Sequence, residues 1–240
     1  MKKESVKILW IVTVYAIAMG LLEAAVVVYL RYLYYPAGFA FPLKGFIDPA
    51  VLGVEWAREF ATIVMLVTVG MLAGKKVWSK LAYFIYAFAI WDIFYYVFLK
   101  VFLGWPESLL TMDLLFMIPW PWVGPVLAPV LCSLVMICVA FFLIHQEDTG
   151  NKMHVKTLDV ILVVAGMCVI LYSWLADYGM ILIEGEYLKD FFTLATNTEF
   201  SGIVATYLPK TYSWELFVIG FVISSVGLWL FCRRVVKEKR

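Results

Sequence analysis

The stretch AIWDIFYYVFLK, residues 89–100, is a run of aromatic and aliphatic side chains broken by Asp92 and closed by Lys100. It lies inside an apolar segment from Leu81 to Leu99, long enough to form a helix that crosses a bilayer core, which takes roughly 20 residues. Asp92 is eleven residues in, about 16 Å along such a helix at about 1.5 Å per residue, and so close to mid-membrane. A bare carboxylate at that depth costs at least a few kcal/mol. It must be protonated, paired or turned toward water.

Composition extends this reading to the whole chain. Of 240 residues, 64% are hydrophobic and 15% charged, and the mean hydropathy is +0.91. Soluble domains carry about 45–50% apolar and about 25% charged residues. The pattern is that of a polytopic membrane protein forming one integral membrane domain over residues 1–240. Six apolar segments are long enough to span: 8–30, 49–73, 81–103, 123–144, 159–183 and 213–232. The expected fold is an all-α bundle of six transmembrane helices with re-entrant or interfacial outer loops. The first segment follows Lys2 and Lys3 but runs on to Leu30, past the about 7–15 residues of a signal-peptide core, so it is read as an uncleaved span.

Six spans place both termini on one side. Thirteen of the 19 Lys and Arg residues fall there: Lys2, Lys3, Lys7, Lys75, Lys76, Lys80, Lys152, Lys156, Arg233, Arg234, Lys237, Lys239 and Arg240. The positive-inside rule then puts both termini in the cytoplasm of a plasma-membrane protein. Trp10, Trp78 and Trp229 mark the inner interface, and Trp105, Trp120, Trp122 and Trp214 the outer one. Of the 18 acids, 13 lie outward or in the outer half of the spans, which suggests an outward-facing polar chamber.

Its expected lining follows from depth. Glu23 lies fifteen residues beyond Ile8, about 22 Å along the helix, a little below the outer boundary. Arg31 stands eight residues after Glu23, and Lys100 eight after Asp92. Eight residues is two i,i+4 steps, so each acid shares a face with its base. In the second span, Asp48-Pro49 is a helix start signal, and EWAREF (55–60) then falls within the membrane. Glu55, Arg58 and Glu59 stand at i, i+3 and i+4, on one face. Asp92, Glu23 and Glu59 are the candidates for catalysis by proton transfer. Arg31, Glu55, Arg58, Tyr95, Tyr96, Lys100 and Asp113 are the candidates for ligand binding, with Arg58 and Lys100 expected to hold an anionic head group.

The outer connections are aromatic. RYLYYPAGFAFPLKGFID (31–48) and GWPESLLTMDLLFMIPWPWVGP (104–125) are too apolar to stand free in water and are read as lids. SLLTMDLLFMI reads as a short interfacial or re-entrant helix with Asp113 opposite its Leu-rich face, and PWPWVGP as a stiff turn into the fourth span. The more polar loop 184–212 holds no recognisable motif. Asp177 and Glu215 read as interfacial.

Several chemistries are excluded. His145 and His154, the only histidines, both fall in the inner loop, so no haem, di-iron or zinc site is expected within the spans. There is no GxSxG, HExxH, P-loop or dinucleotide fingerprint. Glu23, Glu55, Glu59 and Asp92 have the chemistry for Ca²⁺ or Mg²⁺, but Arg58 among them competes with a cation. Neither metal nor cofactor is expected, and no nucleic acid. The four cysteines, Cys132, Cys138, Cys168 and Cys232, lie in apolar segments and read as small buried hydrophobes.

GLLEAAVVVYLRYLYYP, IWDIFYYVFLKVFLGWPESLL and PWVGPVLAPV resemble segments of an uncharacterised prokaryotic multi-pass membrane family, over roughly residues 15–135. That resemblance implies a membrane bundle and no particular activity. In size and in its use of membrane carboxylates the chain is also similar to integral-membrane terpene cyclases. The functional expectation is a cavity that binds or processes a lipid-soluble or amphipathic small molecule, with membrane lipid as a partner. A proton- or ion-coupled transporter and a structural or assembly subunit are the alternatives. Whether the protein is an enzyme, and which proteins it meets, the residues leave open.

Overall fold

The apolar runs fold as helices because the bilayer offers their backbone no hydrogen-bond partner, and a helix satisfies each N–H and C=O internally. A computed structural model describes residues 1–36, 38–41, 49–189, 194 and 197–237. Among them are α1 (Lys3–Tyr34), α2 (Pro49–Ala73), α3 (Val77–Leu103), α4 (Leu127–Asp148), α5 (Thr157–Glu184), α6 (Thr198–Thr206) and α7 (Trp214–Lys237), and strands β1 (Met112–Phe116) and β2 (Trp122–Pro125). Six of these helices, all but α6, are long and apolar enough to cross a membrane. The chain is therefore a helical, multi-pass membrane bundle. Pro49 opens α2; the proposed cap, Asp48, lies outside the described residues.

The helices form two packed groups. In one, α3 is central and packs on α1, α2 and α4; in the other, α5 packs along α7. Small residues set the closest approaches, as is usual where van der Waals contact rather than water drives association. A Cβ added at Gly166 of α5 would stand 2.4 Å from the Gly220 carbonyl of α7, and one at Gly20 of α1 would stand 3.1 Å from the Trp91 carbonyl of α3. The second contact brings α1 level with the site described below.

Both termini lie at one end of the bundle, the terminal end. Here Arg234 of α7 forms a two-armed pair with Asp159 of α5, at 2.5 and 2.8 Å. Asp148, at the end of α4, accepts from the Lys2 backbone N–H and the Ser5 hydroxyl. Glu147 accepts from Ser79 N at the start of α3. Trp10 and Trp229 are exposed on helix surfaces, while Trp78 stacks on Phe231. Above these contacts the core of the α1–α4 group is apolar, built from side chains such as Val12, Ala16, Leu66, Ala82 and Leu143.

At the opposite end the structure departs from the sequence reading. SLLTMDLLFMI is not a helix. Met112–Phe116 pairs antiparallel with Trp122–Pro125, with Asp113 opposite Gly124 and Leu114 opposite Val123. The segment between Pro106 and Pro119 is too short to sustain an isolated helix, which needs about 12–15 residues even with a favourable composition. A neighbouring strand supplies the missing hydrogen bonds. PWPWVGP is accordingly half strand, and α4 begins at Leu127 rather than at 123; Pro129 then falls in its first turn, where a missing N–H is harmless.

The β-hairpin is tied to both helix groups. Gly124 lies against Trp174 of α5, Trp122 stacks on the same ring, and Trp120 Nε1 donates to the Leu175 carbonyl at 3.1 Å. These two tryptophans, expected as interface markers, are partly buried against α5. On the other side Met117 N donates to Glu59 of α2 at 3.0 Å. Glu59 is ten residues into α2, so the hairpin reaches about 15 Å down that helix. Non-helical backbone at such depth must be buried in protein or line a cavity, and this hairpin does both.

Cys138 and Cys168 correct another expectation. They lie on exposed faces of α4 and α5, which in spanning helices are lipid-facing. A thiol is apolar enough for that position.

Candidate functional site

A cavity of about 450 Å³ occupies the hairpin end, between α1–α3, the hairpin, α5 and α6. Its walls are mostly apolar, and its charged lining comes from two places. Glu23, Arg31, Glu55, Arg58, Glu59 and Asp92 come from the spanning helices, and Asp113 comes from β1. Tyr95 and Tyr96 line it as well. Nine of the ten residues singled out from the sequence thus meet around one space.

Lys100 is the tenth, and it stands apart. Its ammonium donates to the carbonyls of Gly104 and Pro106 at 2.9 and 2.8 Å. It is in the last turn of α3, where unpaired carbonyls and the negative end of the helix dipole attract a cation. The expected pairing of face with Asp92 does not bring the two together, because eight residues separate them by about 12 Å along the axis.

Arg58 is fully engaged. Its Nε and Nη2 donate to one oxygen of Glu55 at 3.0 and 2.6 Å, and its Nη1 pairs with Glu23 of α1. Thr62 adds a 3.4 Å contact to the other oxygen of Glu23. This group ties α1 to α2 and uses up the positive charge that was expected to hold an anionic head group.

Asp92 and Glu59 are bound differently. Asp92 accepts from the Ser133 hydroxyl of α4 at 2.8 Å, and Glu59 accepts only from Met117 N. Each has one carboxylate oxygen held by a neutral donor, and among the described residues neither has a cation within 4 Å. The acid in the middle of AIWDIFYYVFLK is therefore anchored by a serine and faces the cavity rather than a buried base.

Arg31 sits at the rim, in the last turn of α1. Only 7% of it is exposed. Its guanidinium lies over both Phe39 and Trp105, two rings that meet at 89°, with centroids 4.4 and 3.7 Å away. These are distances at which a cation is held by the aromatic quadrupole. Nη2 donates to Asp113 Oδ1 at 3.2 Å, and the Tyr96 hydroxyl stands beside the same carboxyl. Nη1 has no hydrogen-bond partner among the described residues, and neither does the indole N–H of Trp91, another lining residue. Unmet donors of this kind are rare in buried positions.

Further lining was not anticipated. Leu194, with Phe200 and Val204 of α6, closes the cavity from the loop that had seemed featureless, and Tyr178 and Leu182 of α5 add to it. Asn197 caps α6 by accepting from Phe200 N. The hints in the sequence were the apolar clusters FFTLA (191–195) and FSGIV (200–204) within a more polar loop. Asp177 accepts from the Tyr207 hydroxyl and from Lys210 N and so latches this loop to α5. Of the expected lid 31–48, Phe39 lies over Arg31 and Phe41 against Tyr207, and residues 37 and 42–48 lie outside the described residues. No grouping of three or more metal-ligating side chains is present among the described residues.

Comparison with protein-family models, with curated proteins and with solved structures returns no match.

Proposed function

We propose that the protein holds an amphipathic or lipid-soluble small molecule in the hairpin-end cavity, which faces outward in a plasma membrane with both termini cytoplasmic. The observation behind this reading is the combination in one space of about 450 Å³ of apolar walls, two carboxylates in no ion pair among the described residues, and buried donors without acceptors. Ligand sites are typically about 300–1,000 Å³, mostly apolar, with a few placed polar groups. The orientation rests on the concentration of Lys and Arg at the terminal end.

Within this reading the charged residues divide. Glu23, Glu55 and Arg58 hold two helices together. Asp92 and Glu59 face the bound molecule and are the groups able to give it, or take from it, a proton. The transporter alternative lacks a route. Toward the terminal end from Asp92 the core of the α1–α4 group is mostly apolar, broken among the described residues by hydroxyl contacts such as Thr13 with Tyr86 and Ser5 with Tyr83 and by no buried charge.

Native mass spectrometry of the protein extracted from its membrane tests the proposal. The wild type should carry one molecule in near-unit stoichiometry. Leu52→Trp, which fills part of the cavity, should lose it. The same bound mass on wild type and variant would mean annular lipid and would refute the cavity reading.

A further inference from the structure

We infer that the ligand of this cavity has a zwitterionic head, with an acceptor oxygen that meets Arg31 and a positively charged nitrogen that meets Asp92 and Glu59. This rests on the proposed ligand site and goes on to specify its ligand.

Two independent observations lead there. The first is charge balance. The lining holds five carboxylates and two guanidiniums. Arg58 is shared between Glu55 and Glu23, and Arg31 leans on Asp113. Asp92 and Glu59 are hydrogen-bonded by neutral donors, with Arg58 acting on Glu59 from beyond pairing distance, and aromatic rings such as Trp56, Tyr95 and Trp120 stand in the same walls. Carboxylates beside aromatic faces suit a cationic nitrogen. A ligand with negative charge alone would enter a field that repels it.

The second is the unmet donor. Arg31 is buried, held over the rings of Phe39 and Trp105 and bonded to Asp113 through one nitrogen; its other terminal nitrogen and the second Asp113 oxygen have no hydrogen-bond partner among the described residues. A guanidinium held in this way is prepared for a carboxylate or phosphate oxygen. A purely cationic ligand would leave it unmet and would be repelled by it.

The spacing permits both contacts at once. Gly20 lies against Trp91 and Tyr95, and Arg31 lies against Trp105, so the two polar levels are about eleven residues apart, or about 16 Å along α1. Asp113, bonded to Arg31, also acts electrostatically on Asp92, so the rim guanidinium and the deep carboxylate open on one space that an extended zwitterionic head can enter, its chain following the apolar wall.

The test uses purified protein in a neutral maltoside and four amphiphiles with the same twelve-carbon chain. These are dodecylphosphocholine, dodecyl phosphate, dodecyltrimethylammonium and monododecanoylglycerol, each titrated and followed by thermal shift. The zwitterion should bind at least about tenfold tighter than the other three, since one charge-assisted contact is worth about that factor. Arg31→Gln should erase its advantage over the ammonium, and Asp92→Asn with Glu59→Gln its advantage over the phosphate. The wild-type series decides the matter even if a variant fails to fold. Equal binding of the zwitterion and any one of the others overturns the head-group inference and leaves the cavity reading standing. Binding of none overturns both.

Discussion

Replacing Asp92 by asparagine and Arg58 by methionine should have opposite consequences, and the contrast tests how the buried charges are arranged. Asparagine keeps an oxygen that accepts from the Ser133 hydroxyl at the 2.8 Å position. No cation is within pairing distance of Asp92 among the described residues, so its loss leaves no charge stranded. The expected cost is at most about 1 kcal/mol, the usual worth of one hydrogen bond. For a chain of this size that is a fall of about 4 °C or less in Tm. Arg58→Met instead leaves Glu55 and Glu23 facing each other without their shared partner, and their side chains are only 6% and 14% exposed. Breaking a buried pair costs about 3–5 kcal/mol, or roughly 6–20 °C. Thermal unfolding of the two variants in one neutral detergent is the assay, and it needs no known ligand. If Asp92→Asn lowers Tm as far as Arg58→Met does, the aspartate is part of a structural charge pair and its proposed contact with a ligand falls.

The ammonium of Lys100 serves the end of α3 rather than the cavity, so Lys100→Met should lower Tm by no more than about 4 °C and leave amphiphile titrations unchanged; a loss of binding would put Lys100 in the site. Gly166→Leu should separate α5 from α7, since even a Cβ there would stand 2.4 Å from a backbone carbonyl; overpacking costs typically about 1–3 kcal/mol or more, and a variant as stable as wild type would show that the two helices part easily. In a background without native cysteines, probes at Lys76 and Lys152 should react with an impermeant maleimide only after the cytoplasmic face is opened, and one at Glu186 should react from outside; the reverse pattern would invert the proposed orientation.

The six spans were legible because hydrophobic length is a local property and the bilayer leaves the backbone no alternative. Glu59 and Asp92 were legible for the same reason: a charge placed by counting residues to mid-span is expensive wherever its side chain points. The β-hairpin was not legible. Leu-rich MDLLF has a helical composition, and only its pairing with WVGP, several residues further on, makes it a strand. A shared helix face did not decide the pairing. Arg31 and Lys100 each stand eight residues after an acid, yet the guanidinium of Arg31 is captured by Phe39, eight residues on, and by Trp105 and Asp113, both distant in sequence. Lys100 finds carbonyls on its own chain a few residues away.

The same distinction changes the head-group charge that the proposed site suits, from anionic to zwitterionic. Counting charges along the chain made Arg58 and Lys100 available to an anion. In the folded chain Arg58 is spent on Glu23 and Glu55, and Lys100 on two carbonyls. What remains open is a pair of carboxylates at depth and a single guanidinium nitrogen at the rim. The Arg58–Glu55 pair follows from i,i+3 spacing within α2 and the Lys100 contacts are local, but Glu23 reaches Arg58 from a helix 35 residues away, which no periodicity within one helix encodes. The identity of the charges was therefore available from the chain, while the residual charge presented to a ligand depends also on the packing.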